Sequence, residues 1–408
     1  MLDKWLKFRR TVSPCRLPVW SGGVACLLGL FVGTSTLLKE AAGGPRAGQV
    51  IAEFEIAPDG DFIRLPVVVD QHEYRFLLST GMTNSLIDDA LRSKLDLKKM
   101  AVEVRGKRST QMRERFGGLY ATLGGIPLEF PAGVETGDYG ALADKLDLDC
   151  QGEIGMDVLQ RFIIQIDFDN AILRFLSSLP PSPGEAIRMT PLEGEGGAPT
   201  VPGVLAGMPA QKFVVATARA GNSLDVKSEL LPQLEEKGKL TILSREKAVT
   251  RSGSLLFQTG RLESFQVGKF RHEGLLVNSA EQNGIGVSYL SRYLVTFDFP
   301  HSRLYLKKGA HFDEPDARLS VWDVSVERND EKLAIRDVHA YSQAGRMGLR
   351  AGDIVETLNG TNVRRLSNWQ VRRLFGREGQ PLVAEVRRGA EKLTLRNDSA
   401  AAAGDASK

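Results

Sequence analysis

Residues 75–86 read RFLLSTGMTNSL, and residues 212–224 read KFVVATARAGNSL. A second pair follows in the same order. Residues 154–176 read IGMDVLQRFIIQIDFDNAILRFL, and residues 285–306 read IGVSYLSRYLVTFDFPHSRLYL. The second pair shares Ile-Gly, then Leu-x-Arg-aromatic, then Asp-Phe. The first pair is offset by 137 residues and the second by 131. Near-equal offsets in the same order mean two collinear copies of one unit, over residues 49–178 and 195–308.

Each copy reads as mostly β. Phe62–Val69 and Tyr74–Leu78 are short apolar and β-branched runs around the turn Asp70-Gln71-His72. Phe162–Phe168 and Ile172–Leu176 flank Asp169-Asn170, a hairpin signal, and Tyr293–Phe299 with Arg303–Leu306 repeats it. Short helices are expected over Leu86–Leu95 and Leu224–Leu231, with Asn84-Ser85 and Asn222-Ser223 as caps and Pro232 as a stop. Asp157 and Ser288 hold equivalent places and read as caps of two further short helices. Residues 179–194 are rich in Pro and Gly and read as a linker.

The first 16 residues carry five basic side chains against Asp3, and residues 17–38 are uncharged. Twenty-two residues of helix span about 30 Å, one bilayer core. The basic flank keeps the N-terminus in the cytoplasm. A transmembrane signal anchor over 17–38, a basic cytoplasmic tail over 1–16 and a linker over 39–48 are therefore expected. The localisation that follows is a single-pass membrane protein with its bulk outside the cytoplasm; the alternative is secretion after signal cleavage. The last residues, 398–408, are low in complexity and read as a disordered tail.

Composition narrows the function. With 53 basic and 50 acidic residues the net charge is +3, which gives no footprint for nucleic acid. Cys15 and Cys26 belong to the N-terminal region, so Cys150 is alone in the body and no disulfide framework follows. The five histidines are scattered without i, i+3 or i, i+4 pairs, so no metal site is expected. No motif implies a cofactor.

The repeated unit resembles the retropepsin-like and pepsin-like aspartic proteases over roughly 250 of the 408 residues. In that family each lobe has a strand ending in apolar-Asp-Thr/Ser-Gly, and later an apolar-apolar-Gly strand. Here Phe76-Leu77-Leu78-Ser79-Thr80-Gly81 and Ile154-Gly155 hold those places in the first lobe. The second lobe has Phe213-Val214-Val215-Ala216-Thr217-Ala218 and Ile285-Gly286. The family's chemistry needs two carboxylates sharing a proton about a water. Ser79 and Ala216 stand where those carboxylates belong. A hydroxyl is not ionised near neutral pH and a methyl offers nothing, so no catalytic residue is assigned and the expected protein is a degenerate protease. An active aspartyl-type peptidase using an acid such as Asp157 is the rival, and an envelope scaffold is a third reading. Ser79 as a nucleophile would need a base, and His72 is the nearest histidine in sequence.

Residues 319–397 resemble bacterial PDZ domains. The resemblance rests on Ala344-Gly345-Arg346-Met347-Gly348-Leu349-Arg350-Ala351-Gly352-Asp353-Ile354 followed by Asn359-Gly360. It implies a small β-sandwich or barrel with two helices, which takes a peptide end or loop as an added strand. The implied strand is Leu333–Val338 and the implied helix 368–375. Lys332, Leu333, Ala334, Ile335, Val371 and Phe375 are the candidate peptide-binding residues, with membership of the core as the plain alternative for the apolar ones. Arg364, Arg365, Arg372 and Arg373 read as a solvated basic face. The fold class expected overall is mostly β: a transmembrane helix, a duplicated aspartic-protease-like domain and a PDZ domain. The expected partners are a polypeptide and the membrane, with oligomeric state open.

Overall fold

The computed structural model describes residues 48–397, apart from 57–61, 106–109, 140–149, 193–196, 220–222, 251–252, 315, 317–323, 330–331, 339–342, 367–369, 372–373 and 376–380. The expected membrane anchor over 17–38 and the tail over 398–408 lie outside the described residues. Among the described residues no helix is long and apolar enough to cross a membrane. The chain is mostly β, 53% strand and 12% helix, and contains a β-barrel.

The two sequence copies meet in one six-stranded sheet. Its order is Val50–Glu55, Ile172–Leu176, Ile163–Asp167, Tyr293–Asp298, Arg303–Lys308 and Glu185–Arg188. All five pairings are antiparallel. Three strands from the first half therefore face three from the second, each half contributing one hairpin and one earlier strand. The central pair sets Gln165 opposite Thr296, and the Gln165 amide donates to the Thr296 hydroxyl at 3.2 Å in a buried setting. Residues 185–188, expected as linker, are the outer strand of this sheet. Pairing with Arg303–Lys308 satisfies a backbone whose Pro and Gly content suggests a loop.

Each half adds its own sheet. In the first, seven strands run in the order Ile126–Leu128, Ala121–Leu123, Arg64–Val69, His72–Leu78, Gly152–Ile154, Leu86–Asp88 and Glu135–Gly137. The turn between Arg64–Val69 and His72–Leu78 places Asp70 and Gln71 at φ 49° and 64°, the left-handed pair that suits a tight hairpin. In the second half, Pro199–Leu205, Gln211–Val215, Gly284–Ile285, Leu224–Lys227, Phe270–Ala280 and Gly253–Val267 are hydrogen-bonded in that order. Gly253–Val267 also pairs with Pro199–Leu205, which closes these six strands into a ring. Two hairpins extend from the halves, Lys98–Arg105 with Thr110–Gly117 and Leu240–Thr250 with Gly253–Val267.

The short helices differ from expectation. Leu86–Asp88 is a strand, and the helix is Asp89–Lys94, capped by Asp88 through the N–H groups of Ala90 and Leu91. Leu224–Lys227 is likewise a strand, and Pro232 lies in the first turn of helix Leu231–Glu236 instead of stopping one. Pro lacks an N–H, which the first turn of a helix does not need. Asn-Ser is a cap signal in isolation, but neighbouring strands on both sides hold Leu86–Asp88 and Leu224–Lys227 extended.

One hydrophobic core runs through both halves, from Ile63 to Phe312. In the second half it contains a polar cluster. His272 is buried among Tyr289, Tyr293 and Phe312, with Nε2 2.5 Å from the Tyr293 hydroxyl. Burial, with the Arg292 charge adding to it, lowers the His272 pKa from 6.5 to about 4. The imidazole is thus neutral in the fold and protonates near pH 6.5 once unfolded. Stability from this residue is present above that pH and is lost as pH falls toward 4, up to about 3 kcal/mol. Denaturant midpoints at pH 7, 5.5 and 4 should fall less steeply in His272→Phe than in the natural chain; equal slopes would refute this.

Residues 324–397 have a separate core built on Val326, Leu333, Ile335, Leu358, Val371, Phe375 and Val386. Their sheet runs Val324–Asn329, Lys332–Val338, Ile354–Leu358, Leu382–Arg388, Glu391–Asn397, with Thr361–Asn362 returning on Ile354–Leu358. Asn359 and Gly360, at φ 47° and 75°, make the turn of this hairpin.

Candidate functional site

Two equivalent turns meet where the halves face each other. Strand His72–Leu78 runs parallel to Gly152–Ile154 and delivers Ser79, whose N–H donates to the Ile154 carbonyl at 3.0 Å. Strand Gln211–Val215 runs parallel to Gly284–Ile285 and delivers Ala216, whose N–H donates to the Ile285 carbonyl at 3.0 Å. Each turn then closes in the same way. Met82 N–H donates to Ser79 O and Arg219 N–H to Ala216 O, both at 3.3 Å. Met156 N–H donates to Met82 O and Val287 N–H to Arg219 O, both at 2.9 Å.

The threonine that follows each central position crosses to the other half. Thr80 Oγ1 donates to the Val215 carbonyl at 2.6 Å and accepts from Thr217 N–H at 3.1 Å. Thr217 Oγ1 donates to the Leu78 carbonyl at 2.5 Å and accepts from Thr80 N–H at 3.1 Å. Both threonines are fully buried. Four backbone groups that have no ladder partner are thus satisfied by two hydroxyls. The approach is close: a Cβ on Gly81 would lie 3.1 Å from the Ala216 methyl. The crossing fixes Ser79 and Ala216 side by side at the junction, both buried.

A glycine shapes the support of the first turn. A Cβ on Gly155 would lie 2.6 Å from the backbone carbon of Asn84 and 2.9 Å from Ser85 N, so no other residue fits there. Gly155 is also the N-cap of helix Met156–Leu159, with no side-chain cap bond. Asp157, expected to cap that helix, turns its Oδ1 mainly to Ser85, accepting from its N–H at 2.9 Å and its hydroxyl at 2.7 Å. Val158 N–H also donates to it at 3.0 Å. Asp157 Oδ2 is buried and has no partner among the described residues. Burial raises its pKa, while the Ser85 and Val158 bonds and the Arg115 charge oppose the shift. The matching residue in the second half is Ser288, so Asp157 has no symmetric carboxylate to share a proton with.

The surroundings of the two turns differ in charge. Met82 is exposed. Its counterpart Arg219 forms an ion pair with Asp225 across Gly284. Burial raises the Asp225 pKa and the guanidinium works against that rise. On the first half, buried Arg115 donates to Glu135 at 3.0 Å, and Asn84 donates to the same oxygen at 3.0 Å. His72 does not approach Ser79. Its Nδ1 lies 2.8 Å from Asp70 O at the far end of strand His72–Leu78, about 23 Å of extended chain away. The centre thus holds a hydroxyl and a methyl, and among the described residues no hydrogen bond brings a base to the Ser79 hydroxyl.

In the C-terminal module the structure buries Leu333, Ile335, Val371 and Phe375 in the core, the plainer of their two expected roles. Strand Lys332–Val338 is flanked on both sides. Leu333 and Ala334 pair with Arg328 and Glu327 on one side and with Val355 and Ile354 on the other. Ile335 N–H donates to Asp353 O at 2.9 Å. Leu333 and Ala334 thus have ladder partners on both sides. Among the described residues the outer strands of this sheet are Val324–Asn329 and Glu391–Asn397. The implied helix 368–375 lies partly outside the described residues, as do Arg372 and Arg373. Arg364 and Arg365 are both exposed in the short turn Val363–Arg365.

No protein-family model matches the chain, and no curated protein matches it significantly.

Sequence reasoning missed the threonine crossing. The signal was present, since Thr80 and Thr217 are the polar residues both copies keep directly after the central position. It also missed Arg115, Glu135 and Asp316, which lie outside the repeated motifs.

Proposed function

We propose that this is a non-catalytic, aspartic-protease-like protein that binds polypeptide in the cleft between its two halves. The carrying observation is the crossed Thr80–Thr217 network. It keeps the two central turns in register at positions where Ser79 and Ala216 supply no carboxylate. A scaffold held this tightly without its acids suits binding better than chemistry. The C-terminal residues act as a PDZ-type module that captures a peptide end or loop, and among the described residues Val324–Asn329 is one of the two outer strands to which a strand can add. Two weak sites on one chain act together through effective concentration. Residues 17–38 tether the protein in the membrane, with the body outside the cytoplasm.

The test is digestion of an unstructured protein substrate by the full chain in detergent across pH 3–8, with fluorescence anisotropy on the same labelled polypeptide. Binding without cleavage is expected. A Ser79→Asp, Ala216→Asp variant, which restores two acids at the junction, serves as the comparison. Cleavage by the natural chain, blocked by an aspartic-protease inhibitor, would overturn the proposal in favour of the peptidase.

A further inference from the structure

Arg161 and Arg292 hold the same place in the repeat, yet their surroundings are opposite. Arg161 meets the exposed Glu129 side chain and donates to the Glu129 carbonyl at 2.8 Å. Arg292 is buried beneath the chain that leaves the second half. Its guanidinium donates to the carbonyls of Phe312 and Glu314 and to Asp316 Oδ1. The Arg292 and Asp316 side chains are 7% and 9% exposed, so this ion pair is out of water.

The leaving segment is fastened along its length. Gly309 N–H donates to Arg292 O at 2.9 Å. Ala310 N–H donates to Asp169 of the first half at 2.8 Å. Phe312 packs into the cluster of Phe270, His272 and Tyr293, with the Lys308 ammonium 3.8 Å from its ring centre. Asp316 ends the strap, and its carboxylate is shared. Oδ1 also accepts from the Ser223 hydroxyl at 3.0 Å, and Oδ2 accepts from Leu276 N–H at 2.8 Å. Arg261 donates to the Asp316 carbonyl at 3.3 Å.

Ser223 leads to the central turn. Its carbonyl accepts from Gly286 N–H at 3.0 Å, the neighbouring Ile285 carbonyl accepts from Ala216 N–H at 3.0 Å, and Arg219 O accepts from Val287 N–H at 2.9 Å. In the first half the corresponding serine hydroxyl goes to Asp157, a residue of the repeat itself. In the second half Ser288 stands at Asp157's place, and the carboxylate on the serine comes from Asp316, beyond the repeat. We infer that Asp316 is a positioning residue for the central turn of the second half. The connection to the C-terminal module thereby becomes a strap that holds Ala216 and Thr217 in place through Ser223. A pull on residues 309–316, as from ligand capture further along the chain, would loosen one side of the junction and leave the other held by Asp157.

Hydrogen exchange on the full chain tests it, comparing the natural protein with Asp316→Asn and Ser223→Ala. Ser223→Ala removes one hydroxyl, so it keeps the test decisive if the first variant folds poorly. Relative to strand Tyr293–Asp298, the amides of Ala216, Arg219, Gly286 and Val287 should exchange about tenfold faster in Asp316→Asn, and faster by a smaller factor in Ser223→Ala. The first-half amides of Ser79, Met82 and Met156 should change less than their second-half counterparts. Uniform acceleration over the whole second half would mean that the strap is merely structural. Unchanged exchange at Ala216 and Gly286 in both variants would mean that it is not coupled to the turn. Either result overturns the inference.

Discussion

Thr80→Val and Thr217→Val should each lower the unfolding free energy by about 2–4 kcal/mol, although valine matches threonine in shape. Each substitution leaves one buried carbonyl and one buried N–H without a partner. For Thr80→Val these are Val215 O and Thr217 N, and for Thr217→Val they are Leu78 O and Thr80 N. An orphaned buried polar group costs roughly 1–3 kcal/mol. Thr→Ser at either position keeps the hydroxyl and should cost under about 1.5 kcal/mol, as the loss of one methyl. The double valine variant should cost less than the sum of the two, because water reaches the opened junction after the first loss. Denaturant unfolding of the natural chain and the five variants measures all of this. Valine no worse than serine would show that the crossing is incidental to stability.

The second large effect concerns the buried arginine. Arg292→Met should cost about 3–5 kcal/mol, since it leaves the Asp316 carboxylate buried and unpaired. Adding Asp316→Leu to that variant should restore part of the loss, because it removes the stranded charge. Arg161→Met gives the internal comparison. Its pair with Glu129 is at the surface, where an ion pair contributes about 0–1 kcal/mol. The same residue of the same repeat should thus give effects differing severalfold. Equal costs for Arg161→Met and Arg292→Met would refute the assigned burial.

These contrasts show which parts of the molecule could be read from its sequence. The hairpins at Asp169-Asn170 and Pro300-His301 were legible, because turn residues between apolar runs are a local signal. The short helices were misplaced for the opposite reason. Asn84-Ser85 and Asn222-Ser223 are good caps locally, but strands drawn from 50 or more residues away take the following backbone into ladders. The strand Glu185–Arg188 was hidden in a Pro- and Gly-rich stretch, and only its partner Arg303–Lys308 makes it a strand.

The sequence by itself determined that the chain has two copies of one β unit, that Thr80 and Thr217 follow the central positions, and that Ser79 and Ala216 leave no acid there. Those are matters of residue identity and spacing. Only the tertiary structure decided which polar groups are buried and what satisfies them. It gave the two threonines to each other's strands, Asp157 to Ser85, and Asp316 to Ser223 and Arg292. It also placed Lys332–Val338 between two strands and left Val324–Asn329 at the edge. Burial and hydrogen-bond partnership depend on chain segments far apart in sequence, so Arg161 and Arg292, alike in their motif, differ in what covers them.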